Sequence, residues 1–238
     1  MKTRLVCFAL AACILIPGIS SAYIPSPQYG AFELKFGPYK PNVDDEPGLD
    51  PPVYSTTFND KSMFLTTIEL DYQFWHPPGV SLGVGFSVGF MQAYAKSTLD
   101  EGSTGGSTTD YTVLNVIPMA LLFVVRMDYL ADEFNVPLVP YAKIGLAYYV
   151  WWTLNGGETD SSGGTFGWQG IVGLALRLDP LDPMTARTFD NEVGVNHTYL
   201  FAELMWARME NFGTGDCMYL STDNFFGATV LAGIAIEF

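Results

Sequence analysis

The end of the chain, from Phe226 to Phe238, alternates between apolar side chains and smaller or polar ones. One face of an extended segment would carry Phe226, Ala228, Val230, Ala232, Ile234, Ile236 and Phe238, and the other Gly227, Thr229, Gly233, Ala235 and Glu237. Successive side chains of a β-strand point to opposite faces of the sheet, and a strand in a bilayer turns one of these faces to lipid. The pattern therefore predicts a membrane-spanning strand that ends on an aromatic residue.

Earlier segments show the same alternation, at residues 31–37, 63–75, 80–95, 111–127, 139–152, 165–178 and 197–208. In the third, glycines such as Gly83 and Gly85 leave the inner face almost bare, with room for bulkier side chains opposite. The fourth is apolar on both faces, which could indicate a helix, but its β-branched residues and Pro118 favour a strand. We predict an all-β fold, a transmembrane antiparallel up-and-down β-barrel of eight strands, or ten if residues 52–58 also pair.

The first 22 residues have the pattern of a secretory signal peptide. Lys2 and Arg4 precede an apolar run at residues 5–17, and small residues stand before Tyr23. We expect export, cleavage before Tyr23, and a barrel domain over residues 23–238. The alternative is lipoprotein processing, because Leu10-Ala11-Ala12-Cys13 matches a lipobox and would make Cys13 an acylated first residue.

Loop lengths predict the orientation of the barrel. Outer-membrane barrels have short periplasmic turns and longer outer loops, so both termini are expected in the periplasm. The outer loops would then be residues 38–59, 96–110, 153–164 and 210–222, with mobile Gly- and Ser-rich stretches in the second and third. The periplasmic connections would be 76–79, 129–138 and 179–196, the last with a short helix near 184–189. Trp75 would mark the inner rim, and Trp151, Trp152, Trp168 and Trp206 the outer one.

Charged residues of both signs fall on the inward faces of the predicted strands. They are Glu33, Lys35, Glu69, Asp71, Arg126, Lys143, Arg177, Glu203 and Glu237. Eight strands enclose a space just wide enough for side chains, and buried charges need partners. We therefore predict a plugged, ion-paired lumen. The alternative is a narrow channel or a conduit for small hydrophobic molecules, which the apolar fourth strand favours.

The mature chain is strongly acidic. Without Lys2 and Arg4, nine basic residues stand against 25 acidic ones, a net charge of −16, which argues against nucleic-acid binding. Acidic residues of the outer loops are weak candidates for binding divalent cations that bridge to lipopolysaccharide phosphates. They are Asp44, Asp45, Glu46 and Asp50, with Asp100, Glu101, Glu158, Asp160 and Asp216. No EF-hand spacing is present, so a solvated charged surface is the alternative, and we predict no cofactor.

Cys217 is the single cysteine outside the signal region, so we predict no internal disulfide and interpret it as a tolerated loop residue rather than a reactive thiol.

The motifs Glu33-Leu34-Lys35-Phe36-Gly37-Pro38-Tyr39 and Val136-Pro137-Leu138-Val139-Pro140-Tyr141, with the Phe238 terminus, resemble small eight-stranded bacterial outer-membrane barrels. The resemblance is to the outer-membrane protein A, X and W class, and more closely to predicted myxobacterial barrels. It implies a Gram-negative outer-membrane location, contact with lipid and lipopolysaccharide, and periplasmic chaperones during biogenesis. It also implies that Ile234, Ile236 and Phe238 form a signal for the barrel assembly machinery. No characterised activity comes with it.

Some barrels of this kind are lipid A-modifying enzymes or proteases that use a histidine near the outer leaflet. This chain has only His76 and His197, both predicted at the periplasmic end. We therefore predict a structural or surface-interaction role rather than an enzyme.

Overall fold

A computed structural model describes residues 26–96, 111–214, 217–224 and 226–238. Within these ranges, eight antiparallel strands follow one another around a closed barrel. They are β1 (Gly30–Tyr39), β2 (Met63–Trp75), β3 (Ser81–Lys96), β4 (Tyr111–Arg126), β5 (Leu138–Asn155), β6 (Glu158–Arg177), β7 (His197–Met209) and β8 (Thr229–Glu237). β1 pairs with both β2 and β8, which closes the sheet and leaves no edge strand. The eight-stranded all-β prediction is confirmed.

In the described connections between strands there are three short α-helices: α1 (Val53–Phe58), α2 (Tyr129–Phe134) and α3 (Pro183–Val193). The ten-strand alternative is wrong, because the residues that would have formed the extra strands are in α1. The helix expected near 184–189 is part of α3, which begins where Asp182 accepts a hydrogen bond from Thr185 N (3.1 Å) and ends at Gly194 with φ 74°. No helix of the described residues is long and apolar enough to cross a membrane.

The outer surface of the sheet is apolar. Its exposed side chains include Phe64, Ile68, Leu70, Phe74, Val84, Phe86, Val88, Phe90, Leu121, Phe123, Ile144, Leu146, Val172, Leu174, Leu200, Val230 and Ile234. Such a continuous apolar belt is far larger than the exposed patches of soluble proteins, and it matches the lipid-facing band of a membrane barrel. The chain is therefore a transmembrane β-barrel.

The two ends of the barrel differ. The terminal end holds the first described residues, Phe238, α2 and α3, and here Gly30 N donates to Phe238 O (2.8 Å). The distal end carries the other four connections. That the distal end faces the cell exterior remains a prediction from loop length.

The third predicted outer loop is instead a hairpin. β5 and β6 stay paired as far as Asn155 and Glu158, across a turn formed by Gly156 and Gly157. Both glycines have positive φ, 58° and 91°, as a tight two-residue hairpin turn requires. The mobile loop predicted at residues 153–164 is therefore wrong, because the Ser- and Gly-rich residues 161–164 lie in β6. The predicted second loop, with Asp100 and Glu101, lies outside the described residues apart from Lys96.

The first and fourth distal loops fold across the barrel mouth. Asn42 N donates to Ser221 O (3.0 Å), and Leu220 N donates to Met209 O (3.1 Å). Val43, Tyr54, Phe58 and Leu220 are buried in the same apolar core as the upper barrel. The loops therefore close the mouth instead of standing free in solvent.

Two sequence predictions about lipid-facing residues are wrong. β8 begins only at Thr229; Phe226 and Gly227 form a turn with positive φ, and Ala228 is buried. Trp151 was predicted to mark a rim of the barrel's outer surface, but its side chain points inward from β5 and packs against the apolar core. Successive side chains of a strand alternate in direction, so its neighbours Val150 and Trp152 take the outward positions. Trp75, by contrast, lies exposed at the terminal end.

Candidate functional site

The bare inner face of β3 is filled by acidic side chains from β2. Asp71 lies opposite Gly85 in the strand register, and Glu69 lies opposite Ser87. A Cβ atom added at Gly85 would stand 2.2 Å from Asp71 Oδ1, so a side chain there would displace the carboxylate. The prediction that bulkier groups would face the glycines of β3 is confirmed, and these groups are charged.

Lys143 and Lys35 hold four strands together through buried carboxylates. Lys143 Nζ donates to Glu33 Oε2 (2.7 Å) and to Glu69, and lies 3.4 Å from Asp71 Oδ2. Lys35 Nζ donates to Glu69 Oε2 (2.8 Å) and Glu203 Oε1 (3.0 Å). The ammonium groups come from β1 and β5, and the carboxylates from β1, β2 and β7, so the ion pairs connect strands on opposite sides of the barrel.

Arg126 joins this cluster from the terminal side. Its guanidinium donates to Glu33 and, over 3.4 Å, to Glu237 Oε1. Neutral side chains use the remaining carboxylate oxygens: Tyr199 donates to Glu237 Oε2 (2.6 Å) and Tyr141 to Glu203 Oε2 (2.9 Å). Charged and neutral donors together therefore satisfy the carboxylates of Glu33, Glu69, Glu203 and Glu237, as buried ionic groups require.

We call these eight residues the charged layer: Glu33, Lys35, Glu69, Asp71, Arg126, Lys143, Glu203 and Glu237. None is more than 5% exposed. Five carboxylates stand against three cations, and Asp71 Oδ1 is buried without a hydrogen-bond partner among the described residues. Glu33, Glu69 and Asp71 are also the described carboxylates that could together hold a metal ion, but Lys143 Nζ contacts all three. The Lys143 ammonium group therefore occupies the position that a metal ion would take.

Arg177, the ninth predicted lumen charge, is separate from the charged layer. It lies at the terminal end of β6, where it donates to Asp132 Oδ1 (3.0 Å) and approaches Asp128 Oδ1 (3.5 Å). The side chain of Asp132 belongs to α2, a helix that the sequence did not predict. The alternation pattern predicted that Arg177 points inward, but this was not enough to predict which residues it contacts.

An apolar layer fills the barrel on the distal side of the charges. It contains Tyr39, Leu65, Met91, Leu114, Tyr149, Met205, Met209 and Leu231, with Leu220 of the fourth loop above them. The Tyr39 hydroxyl donates to Leu220 O and attaches the loop to the barrel wall. Sequence reasoning singled out only the inward charges, although the two-sided apolar fourth segment was a signal for this layer. Between the two layers a cavity of about 10 Å³ remains, about the space of one water.

The acidic residues of the first loop are not assembled into a cation site. The Asp44 carboxylate accepts hydrogen bonds from Tyr54 N (2.6 Å) and Ser55 N (2.8 Å) and so caps α1. Partial burial opposes its ionisation, but the hydrogen bonds from Ser55 and Tyr54 outweigh it and lower the pKa of Asp44. Asp45 pairs with Asn42, and Asp50 is exposed. Glu158 and Asp160 are exposed in β6, and Asp216 lies outside the described residues.

Both histidines lie at the terminal end, the end predicted to face the periplasm. His76 Nε2 is 3.1 Å from Gln73 Oε1, and His197 Nδ1 bonds to Asp179 Oδ2. These contacts connect strand ends to the neighbouring turns. Ile234 and Phe238, two residues of the predicted assembly signal, are exposed in the apolar belt, and Ile236 is partly exposed between them. Their recognition by the assembly machinery remains a prediction.

The closed antiparallel sheet, the apolar belt and the filled polar interior define the class of the protein: an eight-stranded outer-membrane β-barrel. Solved structures with a similar fold include the Yersinia pestis attachment invasion locus protein Ail, with the heparin analogue sucrose octasulfate (11% identity, TM-score 0.47, 89% of this chain and 99% of that one). The outer membrane protein OprG of Pseudomonas aeruginosa is 15% identical, with a TM-score of 0.46 over 89% and 97% of the chains.

Neisserial surface protein A is a third similar structure, at 11% identity and a TM-score of 0.45, over 89% of this chain and 97% of that one. No protein-family model and no curated protein matches the chain. At these identities the likeness extends to the fold alone, and the barrel itself defines the class of the protein.

Proposed function

We propose that this protein is a non-conducting outer-membrane barrel with a structural or surface-interaction role. The observation that carries this proposal is the filled lumen, in which the charged layer and the apolar layer follow one another along the barrel axis. A permeating ion would have to separate Lys143 from its carboxylates, and breaking a buried ion pair costs about 3–5 kcal/mol. It would then meet the apolar layer and the folded loops.

With the lumen filled, the distal surface is a part of the protein outside the membrane belt that partners could contact. Its loops and hairpin carry most of the exposed acidic residues, such as Asp45, Glu158 and Asp160. Outer-membrane lipid and lipopolysaccharide are the partners that this surface would meet if the distal end faces outward. The narrow channel and the small-molecule conduit have less support, because the cavity between the layers is only about 10 Å³. A lipid A-modifying activity is not part of the proposal.

Single-channel recording of the refolded mature chain, residues 23–238, in a planar bilayer tests the closed lumen. We expect a silent barrel, with folding verified by heat-modifiable migration on gels so that silence is not misfolding. Two variants are recorded beside the unchanged protein. Lys143→Ala removes the central cation of the charged layer, and Leu65→Ala shortens one side chain of the apolar layer and leaves the charges in place. Discrete, reproducible openings of the unchanged protein would contradict the proposal.

A further inference from the structure

A groove opens at the terminal end of the barrel, and we call it the terminal groove. Its volume is about 450 Å³, within the range of small-ligand sites, which is about 300–1,000 Å³. Ala131 of α2 and Ala186 of α3 line it, together with Arg177 and His197 at the terminal ends of β6 and β7. The terminal groove therefore lies between two connecting helices and the rim of the barrel, outside the charged layer.

The apolar part of the lining is short and rigid. Pro137, Pro180 and Pro183 line the terminal groove beside the two alanines. Proline and alanine side chains lose almost no rotamer freedom when another group packs on them. These walls therefore suit a ligand with a small apolar side chain.

Basic side chains supply most of the charge in the lining. Arg177, Arg187 and His197 stand against one carboxylate, Asp179, among the described lining residues. Asp179 is already engaged, because its Oδ2 bonds His197 Nδ1 and its Oδ1 accepts from Thr198 N (3.2 Å). The chain has a net charge of −14, so this locally basic lining is suited to an anionic ligand.

Two polar atoms of the lining residues are buried without a hydrogen-bond partner in the described part of the chain. One is a donor, Arg177 Nε, although other guanidinium nitrogens contact Asp132 and Asp128. The other is an acceptor, Oδ1 of Asn196, a residue that is 9% exposed and whose Nδ2 donates to Ser26 O (2.7 Å). Unpaired buried polar atoms are rare in native proteins, so this pair indicates a ligand with one acceptor and one donor.

The C-terminal end of a peptide has this combination of groups. Its carboxylate accepts hydrogen bonds from guanidinium groups, and its last amide N–H is a donor one residue away. Inorganic phosphate offers anionic oxygens but has no amide N–H and no apolar side chain. A peptide terminus therefore matches the cations, the unpaired acceptor and the apolar walls together.

We propose that the terminal groove binds the C-terminal end of a peptide whose last residues are small and apolar. Arg187 and Arg177 bind the terminal carboxylate, Asn196 Oδ1 accepts from the last amide N–H, and the proline and alanine walls contact the last side chain. The terminal end is predicted to face the periplasm, which would make the partner a periplasmic peptide. This site is outside the lumen, so its test does not depend on whether the barrel conducts.

An NMR titration of the isotope-labelled chain, residues 23–238, refolded in detergent micelles, tests the proposal with N-acetyl-Ala-Ala as the probe. We expect saturable shifts in the signals of Arg187, Asn196 and His197. The C-terminal amide of the same peptide should bind about tenfold more weakly, because it lacks the charge that a guanidinium recognises. Inorganic phosphate at the same concentration should not displace the peptide.

Two variants test the lining, and gel migration should show both folded. Arg187→Gln removes an exposed cation and should weaken binding about tenfold. Ala186→Leu places a larger side chain in the groove and should block the peptide without a change of charge. Arg208→Gln is the matched control, since it removes a 68% exposed arginine at the distal end of β7, and it should leave binding unchanged.

Four outcomes would overturn the proposal. The probe may bind no more tightly than its amide, or phosphate may displace it equally, and either result would exclude recognition of a peptide terminus. An equal loss in Arg208→Gln would make the effect one of overall charge. A chain that begins at Ser26 should bind like the longer one; binding that appears only after this shortening would mean that residues 23–25 occupy the groove themselves.

Discussion

At the scale of single residues, packing inside the barrel depends on a glycine that lies opposite a buried charged side chain. Gly85 provides the space that the Asp71 carboxylate occupies, and Lys143 supplies a cation shared by three carboxylates. A lysine so placed is expensive to desolvate, and its removal would leave the carboxylates of Glu33 and Glu69 close together in a low-dielectric space. The charged layer is therefore sensitive to the loss of any one member.

We expect Lys143→Met to lower the free energy of unfolding by about 3–5 kcal/mol, because it leaves buried carboxylates uncompensated. Urea unfolding in lipid vesicles, followed by tryptophan fluorescence, measures this change. The double variant Lys143→Met with Glu69→Gln should recover part of the loss, since it removes one of the stranded charges. A loss below about 1 kcal/mol, in the range of an exposed ion pair, would contradict the described network.

At the scale of elements, the first distal loop owes its helix to a residue outside that helix. The side chain of Pro52 at the start of α1 cannot cap the helix, and Asp44 supplies the missing acceptor to Tyr54 N, ten residues further along the chain. Tyr54 and Phe58, on the buried side of α1, pack over the barrel mouth. A local pattern at residues 52–58 could not indicate this helix, because its cap comes from a different part of the loop.

Replacing Asp44 with Ala should destabilise α1 by about 1 kcal/mol, a typical cost of losing a helix cap. The pKa of Asp44 is lowered from its ordinary value of 3.8, so its stabilisation is present above that pH and is lost as the pH falls below it. Hydrogen exchange of the Tyr54 and Ser55 amides should therefore be faster in Asp44→Ala at pH 6. The difference from the unchanged protein should shrink as the pH is lowered below 3.8 and the Asp44 carboxylate becomes protonated.

Asp45→Ala is the matched control, because Asp45 is exposed and its side chain accepts only from the Asn42 side chain among the described contacts. Equal acceleration in both variants would mean that loop charge, and not the cap, protects α1.

At the scale of the whole molecule, the closed sheet separates the apolar belt on its outer face from the charged layer inside the barrel. The distal loops close one end of this barrel. The beginning of the described chain is attached to the terminal end. There Ser26 N donates to Asp190 Oδ1 (3.3 Å), and Asn196 Nδ2 donates to Ser26 O (2.7 Å). α3 and Asn196, three residues after it, therefore hold the chain at Ser26, the fourth residue of the expected mature chain.

We predict that the protein isolated from outer membranes begins at Tyr23, because the pattern of residues 1–22 is that of a cleaved signal peptide. Intact-mass measurement, with sequencing of the first peptide, tests this expectation. A diacylglyceryl group on Cys13 would establish lipoprotein processing instead.

Alternation with a period of two residues was sufficient to predict the eight strands and most of their lipid-facing residues. It also identified all eight charged residues that meet inside the barrel, together with Arg177, which does not join them. The reason is geometric, since a residue's parity in a strand determines which face it occupies. The bare face of β3 likewise predicted that larger groups would stand opposite Gly85.

Tertiary structure alone decided which charges pair and how the mouth is closed. Lys143 and Glu33 are 110 residues apart, so only closure of the barrel brings them together. Arg177 has the same inward parity but lies at the strand end, where α2 supplies its partner. Three local predictions were wrong for a related reason. They concern the direction of Trp151, the helix α1, and the β5–β6 pairing that continues beyond residue 153. Each depends on strand register or on contacts between loops, which a local sequence pattern does not contain.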